Sequence, residues 1–85
     1  MLQRTYIFKL KIKEALEKAD MTQKQLAELT GLRRAAISEM AQNSRTVINK
    51  VHLAKVMEAL DIKELSEILE MTIEEEWKSP SREEG

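Results

Sequence analysis

The chain has no cysteine, one proline, two glycines and one histidine among 85 residues. The lack of cysteine excludes a disulfide framework and a thiolate metal site. So few glycines leave no phosphate-binding glycine loop. His52 has no second ligand near it in sequence, so it reads as a surface or satisfied histidine, and neither a metal site nor a catalytic residue is expected. No apolar run approaches the roughly 20 residues of a membrane span. The first residues lack an apolar block ending in small side chains, so export is not expected and a cytoplasmic setting fits. A chain this short forms one domain that buries only about 60 to 65% of its unfolded surface, leaving little room for an enclosed catalytic cavity. The acidic residues stand on helix surfaces or in the tail, with no reason to be desolvated, so no enzyme and no cofactor is expected.

Ordinary hydrophobic content, high charge and a shortage of turn residues favour helices with short connections. The net charge of −1 would argue against a polyanionic partner if it were evenly spread, but it is not. Between Thr22 and Lys55 stand six bases and two acids, a net of +4, so the remainder carries −5. The local field governs polyanion binding, and the basic window therefore outweighs the total.

Phe8, Ile12, Ala15, Leu16 and Ala19 line one helical face and predict a first helix that ends at Asp20. Tyr6, Phe8, Leu10 and Ile12 also fit a strand period, which leaves room for an extended lead-in to about Lys9. Thr22 and Gln25 make a capping-box pair for a second helix running to Thr30, with Gly31 as its left-handed stop. A third helix is predicted over Arg34 to Gln42, with Ile37, Met40 and Ala41 inward and Asn43 as the stop. Asn49 caps a fourth helix running to Leu60, with Val51, Leu53, Ala54, Met57 and Leu60 apolar and Val56 and Ala59 alongside. A fifth is expected over Lys63 to Leu69. Residues 72–85 read as an acidic, partly disordered tail behind a domain at 1–71. Weak alternation from Leu69 to Ile73 admits a short strand beside the N-terminal lead-in.

Two short helices meeting at Gly31, the second opening on Arg33 and Arg34, have the layout of a helix-turn-helix that places a helix end in the DNA major groove. The segment MTQKQLAELTGL, then Ile37 and Ser38, then Arg45, then LAKVMEALDI resembles the lambda-repressor-like helix-turn-helix family, the Xre or phage Cro and repressor type. The resemblance runs from Ile12 to Leu69. It implies an all-α fold, a compact five-helix domain with the helix-turn-helix at 22–43, with room for short terminal strands.

The resemblance also implies roles by position. Gln23 binds a DNA phosphate. Arg33 touches the backbone ahead of the third helix. Arg34, Ala35 and Glu39 occupy base-reading positions, and Ser38 lies on the groove side. Gln42, Asn43, Ser44 and Arg45 return to the phosphates. An arginine matches guanine O6 and N7 with two donors, an alanine methyl can meet thymine, and a glutamate can accept from a cytosine amine. Three residues depart from the family pattern. Arg33 stands where Ser or Thr often caps the helix, a loss of about 1 kcal/mol. Asn43 stands where glycine is frequent, and Glu39 puts a negative charge near the groove.

The function expected is therefore sequence-specific transcriptional regulation, a dimeric repressor of bacterial, phage or mobile-element origin on an inverted-repeat operator in double-stranded DNA. Two dimer surfaces are candidates: the fifth helix through Leu65 and Ile68, and the terminal segments paired as strands. The alternative is a protein-interaction module, antitoxin-like or anti-repressor, that docks a partner through the acidic tail and Trp77.

Overall fold

The computed structural model describes residues 2–77. Strand β1 (Leu2–Leu10) is followed by helices α1 (Ile12–Ala19), α2 (Gln23–Thr30), α3 (Arg34–Gln42) and α4 (Lys50–Ala59), a single 3-10 turn over Leu65–Glu67, and strand β2 (Leu69–Trp77). The five-helix, all-α expectation is thus overturned: four helices are joined by an antiparallel two-stranded sheet.

The sheet also redraws the ends of the helical region. β1 and β2 pair over their whole length, from Leu2 opposite Trp77 to Leu10 opposite Leu69. The short terminal strands considered from sequence are real in kind and longer than expected. Thr5, Tyr6, Ile7 and Phe8 favour extended backbone, and Tyr6 opposite Ile73 and Phe8 opposite Met71 are cross-strand pairs of a stabilising type. Pairing takes Phe8 out of the first helix, which starts only at Ile12, and leaves Phe8 exposed. At the other end the expected fifth helix is reduced to one 3-10 turn. A seven-residue helix is marginal on its own, Leu69 belongs to the ladder, and Ile68 is fully buried with its carbonyl accepting from Lys11 N at 2.7 Å. Ile68 therefore cannot belong to an external dimer surface on such a helix. β2 crosses the expected 71/72 boundary; the portion of the acidic tail from residue 78 onward lies outside the described residues.

The core consists of Leu10, Ile12, Leu16, Leu26, Ala27, Ile37, Ala41, Val56 and Ile68, and no polar side chain among the described residues is buried. Each large apolar side chain moved fully out of water contributes about 1.5–3 kcal/mol. α4 turns a different face inward than its first apolar residues imply. Val56 is fully buried with Leu53, Met57 and Leu60 packed beside it, while Val51 is largely exposed.

Helix ends explain how so few glycines suffice. Asp20, Asn43 and Asp61 all adopt left-handed backbone at φ 54°. Asn and Asp tolerate that region because their short side chains bond locally. Each stop carries the pair of back-bonds that closes a helix C-terminus, as in Asn43 N to Met40 O at 3.3 Å and Ser44 N to Glu39 O at 3.2 Å.

Candidate nucleic-acid interface

α2 is fixed first by its cap. Thr22 Oγ1 accepts from Gln25 N at 3.1 Å, and Gln25 Oε1 accepts from Thr22 N at 2.8 Å, the reciprocal arrangement that the spacing predicts. Gly31 then closes α2 at φ 75°, its N–H bonded to Ala27 O. A Cβ at Gly31 would meet no atom within 4 Å, so the left-handed backbone, not crowding, demands glycine there. Thr30 staples the corner: its hydroxyl donates to Leu26 O at 2.8 Å and accepts from Leu32 N at 3.2 Å. Leu32 packs partly buried against the core between the two helices.

This corner aims α3. Ile37 and Ala41, one turn apart, hold its inner side in the core. Arg33, Arg34 and Ala35 are consequently exposed at the N-terminal end. Arg33 occupies the cap position in extended backbone without a side-chain cap bond, leaving orphan N–H groups and the positive end of the helix dipole open to an anion. Ala35, Ser38 and Gln42, spaced three and four apart, share one outward stripe. Gln42 Nε2 donates to Ser38 Oγ at 3.3 Å, so these two side chains form a unit. Gln23, the first residue of α2, is partly buried.

Two further contacts were not legible as such. Arg45 grips Glu39 with two bonds, Nε to Oε1 at 3.3 Å and a terminal guanidinium nitrogen to Oε2 at 3.1 Å. The hydrogen bond first, and the carboxylate charge second, raise the Arg45 pKa above its ordinary value. Glu39 thus holds the loop arginine against the third helix while the other guanidinium nitrogen remains unbonded in this contact. Six residues separate the pair, and α3 stops between them, so helix spacing could not reveal it. The second contact is Asn43, whose side-chain amide clamps a backbone 33 residues away: Oδ1 accepts from Leu10 N at 2.6 Å, and Nδ2 donates to Leu10 O at 3.1 Å. The end of α3 is thereby tied to the base of β1. Ser44 Oγ donates to Glu39 O at 3.4 Å.

Where the end of α3 meets the base of β1 lies a small cavity of about 100 Å³ lined by Leu10, Met40, Asn43, Arg45, Ile48 and His52. It is well short of the roughly 300–1,000 Å³ of ordinary small-molecule sites. Among the described residues no group of three or more His, Cys, Asp or Glu side chains is arranged to hold a metal ion, and no helix there is long and apolar enough to cross a membrane.

Two short helices meeting at a left-handed glycine, the first closed by a capping box and the second with an exposed basic N-terminus, define a helix-turn-helix protein. The family model of the Cro/C1-type HTH DNA-binding domain matches residues 11–74. The chain belongs to that family, and DNA is the ligand class of its helical domain. The matched span begins directly after β1. Neither the curated proteins nor the solved structures gave a significant match.

Proposed function

We propose that this protein is a sequence-specific transcriptional regulator that binds an inverted-repeat operator as a homodimer, inserts the N-terminal end of α3 in the major groove, and represses by covering the promoter. The observation that supports it best is the exposed, basic first turn of α3, held outward by the buried Ile37 and Ala41. In this scheme Arg34 reads guanine, Ala35 and the Ser38–Gln42 pair lie along the groove, and Gln23, Arg33, Ser44 and Arg45 take phosphates. Asn43 serves by fixing the end of α3 to β1. The setting is the cytoplasm of a bacterium, on phage or chromosomal DNA.

Selection of bound sequences from random DNA tests the scheme, followed by gel-shift titration of Arg34→Ala. Two half-sites about one helical turn apart are expected. Loss of the bidentate guanine contact lowers discrimination at one base pair by about 1–3 kcal/mol. Unchanged affinity and unchanged base preference in Arg34→Ala would show that another residue reads the site.

Two roles for Glu39 are separable by experiment. As a base reader it accepts from cytosine, and Glu39→Gln changes the preferred base at one position. As the holder of Arg45 it acts on a phosphate contact, and Glu39→Gln leaves the selected sequence unchanged while altering affinity and its salt dependence. The observed ion pair favours the second outcome, and selection run on both proteins decides between them.

A further inference from the structure

The terminal ribbon has two unlike faces. Directly opposed residues of an antiparallel pair share a face. One face therefore carries Leu2, Arg4, Tyr6, Phe8 and Leu10 with Trp77, Glu75, Ile73, Met71 and Leu69. The other carries Gln3, Thr5, Ile7 and Lys9 with Glu76, Glu74, Thr72 and Glu70. At its base the first face is core, because Leu10 is buried and Leu69 packs against the cluster. Beyond the base the same face continues into solvent, with Tyr6 52%, Phe8 56% and Trp77 72% exposed, and Leu2, Met71 and Ile73 in a similar state. Two strands with one apolar face in water are marginal on their own, and a contiguous apolar patch of several hundred Å² marks a contact surface.

We propose that this apolar ribbon face is a self-association surface on which a second copy of the chain seats face to face. Three observations select a second copy. Among the described residues the only charges on the face are Arg4 and Glu75, which neutralise each other at 2.7 Å. A two-fold contact sets a patch against itself, so a patch without net charge suits it, whereas a charged one would repel its copy. The polar face holds Glu70, Glu74 and Glu76 against Lys9, which disfavours DNA as the ribbon's partner. The area also fits. Exposed side chains of this size and exposure leave about 600 Å² open per copy, so mutual burial approaches the roughly 1,200 Å² at which stable interfaces begin. Packed in this way, two ribbons become a two-layer sandwich with an apolar interior. The inference deepens the homodimer of the proposed function and rests on it for stoichiometry alone. The Asn43 clamp then makes the ribbon a rigid extension of α3, so that self-association fixes how far apart two reading helices lie.

Sedimentation of the full chain without DNA is the test, so its outcome is independent of operator reading. Wild type is expected to be dimeric at high micromolar concentration. Ile73→Glu, in the middle of the apolar face, weakens association by more than about tenfold because the two-fold axis introduces the charge twice. Thr72→Glu, its neighbour on the polar face, leaves the dimer intact. The absence of native cysteine permits a second measurement that does not depend on a disruptive charge. Ile73→Cys should be captured as a covalent dimer by a bifunctional maleimide whose arm spans the roughly 10 Å between packed sheets, and Thr72→Cys should not. If Ile73→Glu fails to fold by circular dichroism, the cysteine pair decides. A monomeric wild type, a dimeric Ile73→Glu, equal cross-linking through Thr72→Cys, or association only with a different protein each overturns the proposal. Operator binding by a monomeric wild type would leave the DNA reading standing.

Discussion

The helical body and the ribbon are built on opposite economies of contact. In the body, α1 to α4 bury Ile12, Leu16, Leu26, Ile37 and Val56 in one core, and local bonds close the helix ends. In the ribbon, every residue from Leu2 to Leu10 has a ladder partner, yet only Leu10 is buried. Backbone pairing holds the two strands together, whereas burial supplies most of the stability. The molecule extends over 55 × 23 × 20 Å, far from the near-spherical outline of a domain organised by its core alone. The contrast teaches that ladder pairing carries an apolar face out into solvent where the core does not cover it.

The largest expected effect tests that contrast directly. Ile37→Ala removes a fully buried side chain that anchors α3, and should cost about 2–5 kcal/mol. Ile73→Ala removes the same atoms from a side chain 43% exposed in the ribbon. In dilute, monomeric protein it should cost about 1 kcal/mol or less, since surface truncations away from special features are small. Thermal unfolding followed by circular dichroism compares them, with about 4–8 °C expected per kcal/mol for a domain of this size. Equal destabilisation by the two changes would erase the distinction between body and ribbon.

The same contrast explains what could be read from the sequence. α2 and α3 were legible because their signals are local: Thr22 and Gln25 three residues apart, Gly31 at the corner, Ile37 and Ala41 one turn apart. The ribbon was half legible. Alternation around Tyr6 and Phe8 fits a strand period, but Phe8 also fits the helical face, and only pairing with Ile73 and Met71, more than 60 positions away, resolves the competition. The fifth helix failed for the same reason, because Leu69 is claimed by the ladder and Ile68 by the core. At the interface, sequence placed Arg33, Arg34 and Ala35 on an exposed helix end. It could not show that Asn43 reaches Leu10, or that Glu39 and Arg45 meet beyond the end of α3.

The junction between the two regions gives the next prediction. Asn43 has two functions that separate by substitution. Asn43→Gly keeps the left-handed backbone but loses both bonds to Leu10, at about 0.5–1.5 kcal/mol for each hydrogen bond. Asn43→Ala loses the bonds and adds about 1–2 kcal/mol of left-handed strain. Unfolding should therefore rank wild type above Asn43→Gly above Asn43→Ala. Amide exchange at Leu10 should speed up in both variants, while that at Ile37 follows only the global loss of stability. Slow exchange at Leu10 in Asn43→Gly would mean that the ribbon's base is held without the clamp.

The smallest effect on the monomer belongs to the Arg4–Glu75 ion pair on the apolar face. Arg4 and Glu75 are each about half exposed, at 51%, and an exposed pair is worth about 0–1 kcal/mol and weakens with salt. Arg4→Ala should thus change the stability of the dilute monomer by no more than that, and the change should shrink further in high salt. At concentrations where the chain self-associates, the position differs. A second ribbon would remove the pair from water, and deleting one partner would then leave an unpaired carboxylate in the interface, a situation that typically costs about 3–5 kcal/mol. Removing both, in Arg4→Ala with Glu75→Ala, relieves that charge. A concentration series of unfolding and sedimentation on the single and double variants should therefore show a small, concentration-independent loss in the monomer range. A larger loss of dimer should follow for the single variant alone. If the single and double variants behaved alike at every concentration, the Arg4–Glu75 row would lie outside any contact between copies.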